Sequence, residues 1–403
     1  MNTSQIFLLC LCGAFFLIVA LIAAIGDHYS LKGIPNKPVG NGQHGTARFA
    51  THGEVVKTYK HIPYTPKLWR SGEQLPTVDG LIVGCHETAT GMTALVDDAD
   101  IHTLMIGASG VGKTANFLYP NIEYCCAAGM SFVTTDSKGY LYRNTATIAE
   151  KYYGYKISVI DLRNPTRSSG YNMLYLEILT VADEKGGTLD KRVMFYMDEV
   201  GTLPKIDGLE MIFSASRSRK VSIVAIIQSL AQFEKTYGKE GAEIIVDNCQ
   251  CTLFGAFAPN SKTAEAMSQN LGKQTVLSGT VTRSSGRDGG NRQLQMIERP
   301  LMTVDELKSM PKGHFIVMKT GCHPMKTRLK LFFKWGIVFE DAYSISEKSE
   351  RKVQYADNKE VEAAVLEKFP PKSIPIEFMN GFEDVNEGTV SKKHPPKTRK
   401  GAT

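Results

Sequence analysis

Leu104-Met105-Ile106-Gly107-Ala108-Ser109-Gly110-Val111-Gly112-Lys113-Thr114 decides the fold. From Gly107 to Thr114 it fits the phosphate-loop pattern G-x-x-x-x-G-K-[ST] at every fixed position. An apolar run precedes it and a helix-compatible segment, Ala115-Asn116-Phe117-Leu118, follows. Glycines in this pattern let consecutive backbone N–H groups turn toward a phosphate chain. Lys113 would reach the outer phosphates, and the Thr114 hydroxyl would ligate Mg²⁺. A second run, Phe195-Tyr196-Met197-Asp198-Glu199, has a buried-strand pattern ending in two carboxylates. Asp198 suits a metal's water shell, and Glu199 suits orienting and deprotonating an attacking water. A glycine-rich loop alone is compatible with a purely structural turn. The loop and the acidic pair, each closing an apolar strand, together predict a site that binds a nucleoside triphosphate and hydrolyses it.

The rest of the chain sets bounds on that reading. Its 403 residues suffice for one large domain or two ordinary ones, and 42% hydrophobic with 22% charged residues is a globular composition. A net charge of +6 permits contact with nucleic acid or anionic lipid without arguing for either. Among the cysteines, Cys249-Gln250-Cys251 has no second pair to complete a zinc site, so reduced thiols in a cytosolic domain are expected. Ile6 to Ile25 carries no charge and is long enough to span a bilayer as a helix. A cleaved signal peptide is the rival reading. It is opposed by the lack of a basic residue before the run and by the run's length. Lys32, Lys37 and Arg48 follow it and place the remainder in the cytoplasm. The expected organisation is a single-pass anchor over 1–27, a juxtamembrane linker over 28–79, a nucleotide-binding domain over 80–342 and a charged, disordered tail over 343–403.

Within the domain, apolar β-rich runs alternate with helix-compatible stretches, which indicates an α/β fold with a mainly parallel sheet flanked by helices. Strands are expected at Leu81–Val83, His102–Ile106, Ser131–Thr135, Ile157–Asp161, Val193–Met197, Val221–Ile227 and Thr252–Phe257. Gly313–Lys319 and Met325–Phe333 read as closing strands. Helices are expected from the phosphate loop to about Ala128, and over Tyr140–Tyr153, Gly208–Ser218 and Leu230–Tyr237. Ser278 to Arg292 is polar and glycine-rich. It reads as a flexible surface loop, with a loop touching nucleic-acid phosphates as the alternative.

Several segments together resemble the coupling proteins of conjugative type IV secretion systems, the TraG-type membrane-anchored ATPases that feed DNA to a transfer channel. They are His44-Gly45-Thr46-Ala47-Arg48-Phe49-Ala50, the phosphate loop, Thr135-Asp136-Ser137-Lys138-Gly139 and Asp161-Leu162-Arg163-Asn164-Pro165. Met197-Asp198-Glu199-Val200-Gly201, Ile227-Gln228-Ser229-Leu230-Ala231-Gln232, Tyr237-Gly238 and Asp247-Asn248-Cys249 complete the set. The phosphate loop and acidic pair occur in many ATPases, and the order and spacing of the others carry the resemblance over roughly residues 40 to 340. It implies a RecA-like ATPase using ATP and Mg²⁺, with DNA or a relaxase–DNA complex as substrate. It also implies secretion-channel components and the membrane as partners, and a homo-oligomer, hexameric in the family. Arg217 matches the position from which the family offers an arginine to the γ-phosphate in a neighbouring subunit. Gln228 matches a polar residue that senses the γ-phosphate. Without the resemblance, Arg217 reads first as a solvated helix end, and the plain reading of Gln228 is a strand-end hydrogen-bonder. Asp136 and Lys138 fall near the nucleotide crevice with no role assigned.

Two departures from the family pattern matter. An all-helical domain usually separates the Asn-Pro motif from the acidic strand, yet Pro165 and Val193 stand too close for any domain, so the insertion is missing between about 170 and 190. The family commonly has two membrane helices, and one is evident. The alternative to a DNA-transporting motor is therefore a docking or scaffold subunit that binds ATP and does not transport.

Overall fold

The computed structural model describes residues 13–20, 38–89, 91–161, 178, 181–282, 291–344, 363 and 367. The chain divides into a large unit, Met1–Ile160 with Ser169–Ser346, and a second, Asp161–Ser168 with Glu347–Thr403, in which Asp161, Ala363 and Glu367 are described. Every element named below lies in the large unit.

Helix α1 (His52–Thr58) starts on a capping box: the Thr51 hydroxyl accepts from the Glu54 N–H, and the Glu54 carboxylate accepts from the Thr51 N–H at 2.7 Å. Strand β1 (Lys60–Pro63), helix α2 (Pro66–Arg70) and strands β2 (Leu81–Thr88) and β3 (Gly91–Asp97) follow, and the strands form an antiparallel sheet in the order β1-β3-β2. The stretch 28–79, expected as a linker, thus holds two helices and a strand in its second half. Tyr64 and Trp69 are buried there with ring centroids 4.5 Å apart, and Tyr64 also meets Trp335 at 4.6 Å. These aromatic anchors lie among prolines that break any readable periodicity.

The elements that carry the site come next: β4 (Thr103–Ile106), α3 (Tyr119–Ala127), β5 (Ser131–Thr135), α4 (Tyr140–Tyr153), β6 (Val193–Met197), α5 (Leu209–Ala215), β7 (Val221–Ile227), α6 (Leu230–Asn248), β8 (Cys251–Phe254) and α7 (Lys262–Asn270). A hairpin of β9 (Lys273–Thr282) and β10 (Asn291–Pro300), the short helix α8 (Val304–Lys308), and strands β11 (His314–Lys319) and β12 (Met325–Arg328) complete the order. Among the described residues the main sheet has seven strands in the order β12-β11-β8-β4-β7-β6-β5. Its β8-β4-β7-β6-β5 part is parallel, and β11 alone runs the other way, antiparallel to both β8 and β12. This is the α/β fold with a mainly parallel sheet expected from the alternation of patterns.

Period-two geometry sorts the strand residues between two cores. Met105, Met194, Tyr196, Val224, Ile226 and Leu253 face one core, with α3 and the three-stranded sheet. Leu104, Ile106, Phe195, Met197, Ile223, Ala225 and Ile227 face the other, with α5, α6 and α7. Strand β7 is buried at all seven residues because both of its faces are covered.

Two expectations differ from the structure. Ile157–Asp161 forms no strand, although exposure alternates along 155–160 and Ile157 packs against the first core. Among the described residues β5 is the last strand on that side, next to β6 only. Of Ser278–Arg292, read as a loop, residues 278–282 and 291–292 belong to β9 and β10, while 283–290 lie outside the described residues. The expected anchor lies mostly outside them as well. Residues 13–20 are helical, and no helix among the described residues is long and apolar enough to cross a membrane. Residues 178 and 181–190 of the expected insertion point are described, and the tail falls outside the described residues except at 343–344, 363 and 367.

Candidate active site

Gly107–Thr114 leaves the carboxyl end of β4 and is moored on both sides. Gly107 donates its N–H to the Ile227 carbonyl at 3.2 Å, and Ala108 donates to the Ala256 carbonyl at 3.1 Å. Gly112 has φ +95°, and a Cβ there would stand 2.5 Å from the Asn116 side-chain nitrogen, so both backbone and space require glycine. Lys113 and Thr114 open a wide, π-type turn over Lys113–Leu118, in which the Tyr119 N–H donates to the Thr114 carbonyl. α3 then continues the same rod.

Lys113 is 7% exposed, and its Nζ donates to the carbonyls of Gly107 at 2.6 Å and Ala108 at 3.2 Å. The ammonium lies inside the cradle that its own loop forms. Burial lowers its pKa, and the negative charges of Asp198 and Glu199 oppose that shift.

Asp198 and Glu199 follow β6, two strands from the loop across β7. Burial first, and the neighbouring Glu199 charge second, push the Asp198 carboxyl up to about 6, against the pull of Lys113. Such a group gains most from a nearby cation. Thr114 and Asp198 together are hard oxygen donors of the kind that hold Mg²⁺ alongside phosphate oxygens, so the residues fit that ion. Glu199 adopts φ +53°, left-handed for a residue with a full side chain, and its carbonyl accepts from Thr202 N–H at 2.8 Å and Thr202 Oγ1 at 2.9 Å. Local backbone bonds thus hold the carboxylate-bearing residue in an uncommon conformation.

Gln228 follows β7 at the same edge and donates Nε2 to Glu199 Oε1 at 3.3 Å. Lys113, Thr114, Asp198, Glu199 and Gln228 therefore share the carboxyl edge of the parallel strands, where open α/β sheets bind ligands. Arg217 does not join them. It opens a 3₁₀ turn, Arg217–Arg219, before β7, at the opposite edge of the sheet. β7 has seven residues, a rise of about 20 Å, which puts Arg217 out of reach of its own phosphate loop.

Lys138, to which the sequence assigns no role, stands 3.5 Å from Glu199 Oε1. Asp136 builds the loop that carries it. Its Oδ1 accepts from the N–H groups of Lys138 at 3.1 Å and Gly139 at 2.7 Å, and its Oδ2 accepts from Tyr142 N–H at 3.0 Å. Thr135 Oγ1 donates to the Asp198 carbonyl at 3.0 Å and ties this loop to the acidic pair. The signal was Asp-x-Lys-Gly at a strand end; the contact needed the β5–β6 register, Thr135 beside Met197. The His44–Ala50 segment lies elsewhere, along β9. Ala47 donates its N–H to the Lys273 carbonyl at 2.9 Å, and a Cβ on Gly45 would stand 2.3 Å from the same oxygen.

Comparison with known proteins follows the same lines. Residues 70–176 match the family described as Type IV secretory system Conjugative DNA transfer, and residues 192–312 match the TraM recognition site of TraD and TraG. The conjugal transfer protein TraG of Agrobacterium fabrum is 27% identical over 159 residues, which cover 39% of this chain and 24% of TraG. The coupling protein TraD of Escherichia coli K12 is 30% identical over 150 residues, covering 36% of this chain and 21% of TraD. The chain thus spans well under half the length of these relatives. Among solved structures, the bacterial conjugative coupling protein TrwB superposes with a TM-score of 0.45 at 15% identity, over 73% of this chain and 96% of that one. The two matched families between them cover more than half of the chain, in order and around the phosphate loop and the acidic pair; the chain belongs to the coupling proteins of conjugative type IV secretion.

Proposed function

We propose that this protein is a membrane-anchored, RecA-type ATPase that couples ATP hydrolysis to the transfer of DNA, or of a relaxase–DNA complex, into a conjugative secretion channel. The observation that carries the reading is the meeting of the moored phosphate loop with Asp198, Glu199 and Gln228 at one sheet edge. Lys113 would exchange its contacts with its own loop carbonyls for the triphosphate. Bound Mg²⁺, held through Thr114 and Asp198, would neutralise phosphate charge. Glu199 would accept a proton from the attacking water as the water oxygen bonds to the γ-phosphorus and the bond to the β-phosphate oxygen breaks, releasing ADP. Gln228, already bonded to Glu199, is placed to report the γ-phosphate to that carboxylate.

In this reading residues 6–25 hold the protein at the membrane in a single pass, and the ATPase domain is cytoplasmic. Cleavage of the C-terminal domain by protease added outside sealed cells would overturn that topology. The deciding experiment is a DNA-stimulated ATPase assay on the full chain in detergent, with two variants. Lys113→Ala is expected to remove turnover while the protein stays folded. Glu199→Gln is expected to bind ATP and retain it. Near-normal turnover in Lys113→Ala would refute the phosphate-loop assignment. ATP binding without turnover in the wild type would instead select the docking subunit.

A further inference from the structure

We propose that Lys138 is a positioning residue for Glu199, setting the carboxylate that activates water; this rests on the hydrolytic reading above. Three observations converge on it. Glu199 is largely buried, with 18% of its side chain exposed, and Lys138 is the one cation within ion-pair distance of it among the described residues. The lysine is delivered by a loop that Asp136 locks with three backbone N–H bonds, so its backbone does not wander. Both Lys138 and Gln228 contact the same oxygen, Oε1, at 3.5 and 3.3 Å. Oε2 accepts no hydrogen bond among the described residues, and is the oxygen left to take a proton from water.

The plain alternative is a surface ion pair of no consequence. Lys138 is 62% exposed, and pairs between two solvated partners are worth only about 0.2–1 kcal/mol. This pair differs on one side: its acidic partner is held in a left-handed backbone conformation by Thr202, and its carboxylate already accepts a hydrogen bond from Gln228. A small rotation of that carboxylate would turn Oε2 away from the water it must deprotonate. The cation acts by holding the rotamer, and makes no contact with the reacting atoms.

The test uses the full chain in detergent with Lys138→Met, Lys138→Arg, Glu199→Gln and the double variant Lys138→Met/Glu199→Gln. Thermal unfolding verifies that each is folded. Lys138→Met should lower kcat about tenfold, a part of what a well-placed general base contributes, with KM and the affinity for a fluorescent ATP analogue unchanged. Lys138→Arg should recover most of the loss. In the Glu199→Gln background, Lys138→Met should cost nothing further, because the group it positions is already gone. A loss carried by KM or by analogue affinity would make Lys138 a phosphate ligand and overturn the proposal, as would full additivity with Glu199→Gln. A second readout does not depend on turnover. Acylation of the Lys138 amine by a dilute amine-reactive reagent, read by mass spectrometry, should rise severalfold in Glu199→Gln as the ion pair is lost. An unchanged rate would refute the pairing itself. Failure of the ATPase reading shows separately, as absent turnover in the wild type.

Discussion

Ile223 donates its backbone N–H to Nδ1 of His102 at 3.0 Å, so this buried imidazole is held in its neutral form just before β4. Burial pushes its pKa down to about 4, assisted by the nearby charge of Arg217 and opposed by the backbone of Phe213. The folded state therefore refuses a proton that the unfolded chain takes up near pH 6.5. Between about pH 6.5 and 4 the unfolded state binds more protons, so this group's contribution to stability is whole above the window and lost on acidification, by about 3 kcal/mol in all. Asp198 titrates over an overlapping range with the opposite sign, because its raised pKa makes the folded state hold a proton longer. The comparison that isolates His102 is thus wild type against His102→Asn, which keeps an acceptor for Ile223. The variant should lose less stability from pH 6.5 to 4, as measured by urea midpoints. Parallel curves would mean that His102 does not govern the acid limb. At this scale the sequence is most legible where a motif dictates chemistry, as at Lys113 or Asp198. It says little where a role depends on a partner far along the chain, as with His102 on Ile223 or Lys138 on Glu199.

At the scale of elements, helix α2 is joined to α3 by one buried pair. Arg70 donates Nε to Glu123 Oε1 at 2.9 Å and a terminal nitrogen to Oε2 at 2.7 Å, and Tyr153 of α4 adds its hydroxyl at 2.6 Å. The side chains are 11% and 2% exposed, so removing either partner strands a charge. Arg70→Ala should destabilise the protein by about 3–5 kcal/mol, and Arg70→Met with Glu123→Leu should recover much of that loss. A loss below about 1 kcal/mol, read from urea unfolding, would show that the pair is solvated in practice. The same region shows why the fold is not legible in the sequence before Gly80. β5, β6 and β7 were readable to the residue because β-branched and aromatic runs end in turn residues. α2 and β1 are short, proline-flanked pieces whose reason to exist is Trp69 and Tyr64 on a distant Trp335. The β9–β10 hairpin is hidden in the sequence for a related cause. Its serine, threonine and glycine content mimics a loop, while its order comes from cross-strand pairing from Lys273–Pro300 to Thr282–Asn291 and from the 38–47 segment beside β9.

For the whole molecule, the decisive relation is that between the two edges of the sheet. Arg217 cannot serve its own phosphate loop, so a catalytic role for it requires a second copy. Mixing Arg217→Ala subunits with Lys113→Ala subunits should restore part of the ATPase activity, because one interface then joins an intact loop to an intact arginine. An arginine supplied in trans is worth on the order of 10³–10⁵ in rate, so even partial rescue is measurable. Full activity in a strictly monomeric sample, unchanged by Arg217→Ala, would return that residue to a solvated turn. Symmetry carries the point further. A molecule that gives from one edge and receives at the other cannot satisfy itself in a two-fold pair, where identical patches face each other. Its contact is heterologous, and repeated copies either close into a ring or run on as an open helix. In a closed ring every copy is both donor and recipient, so one defective subunit silences two neighbouring functions, its own and one next door. Activity should then fall faster than the fraction of inactive protein as a doubly substituted chain, lacking both Lys113 and Arg217, is titrated in.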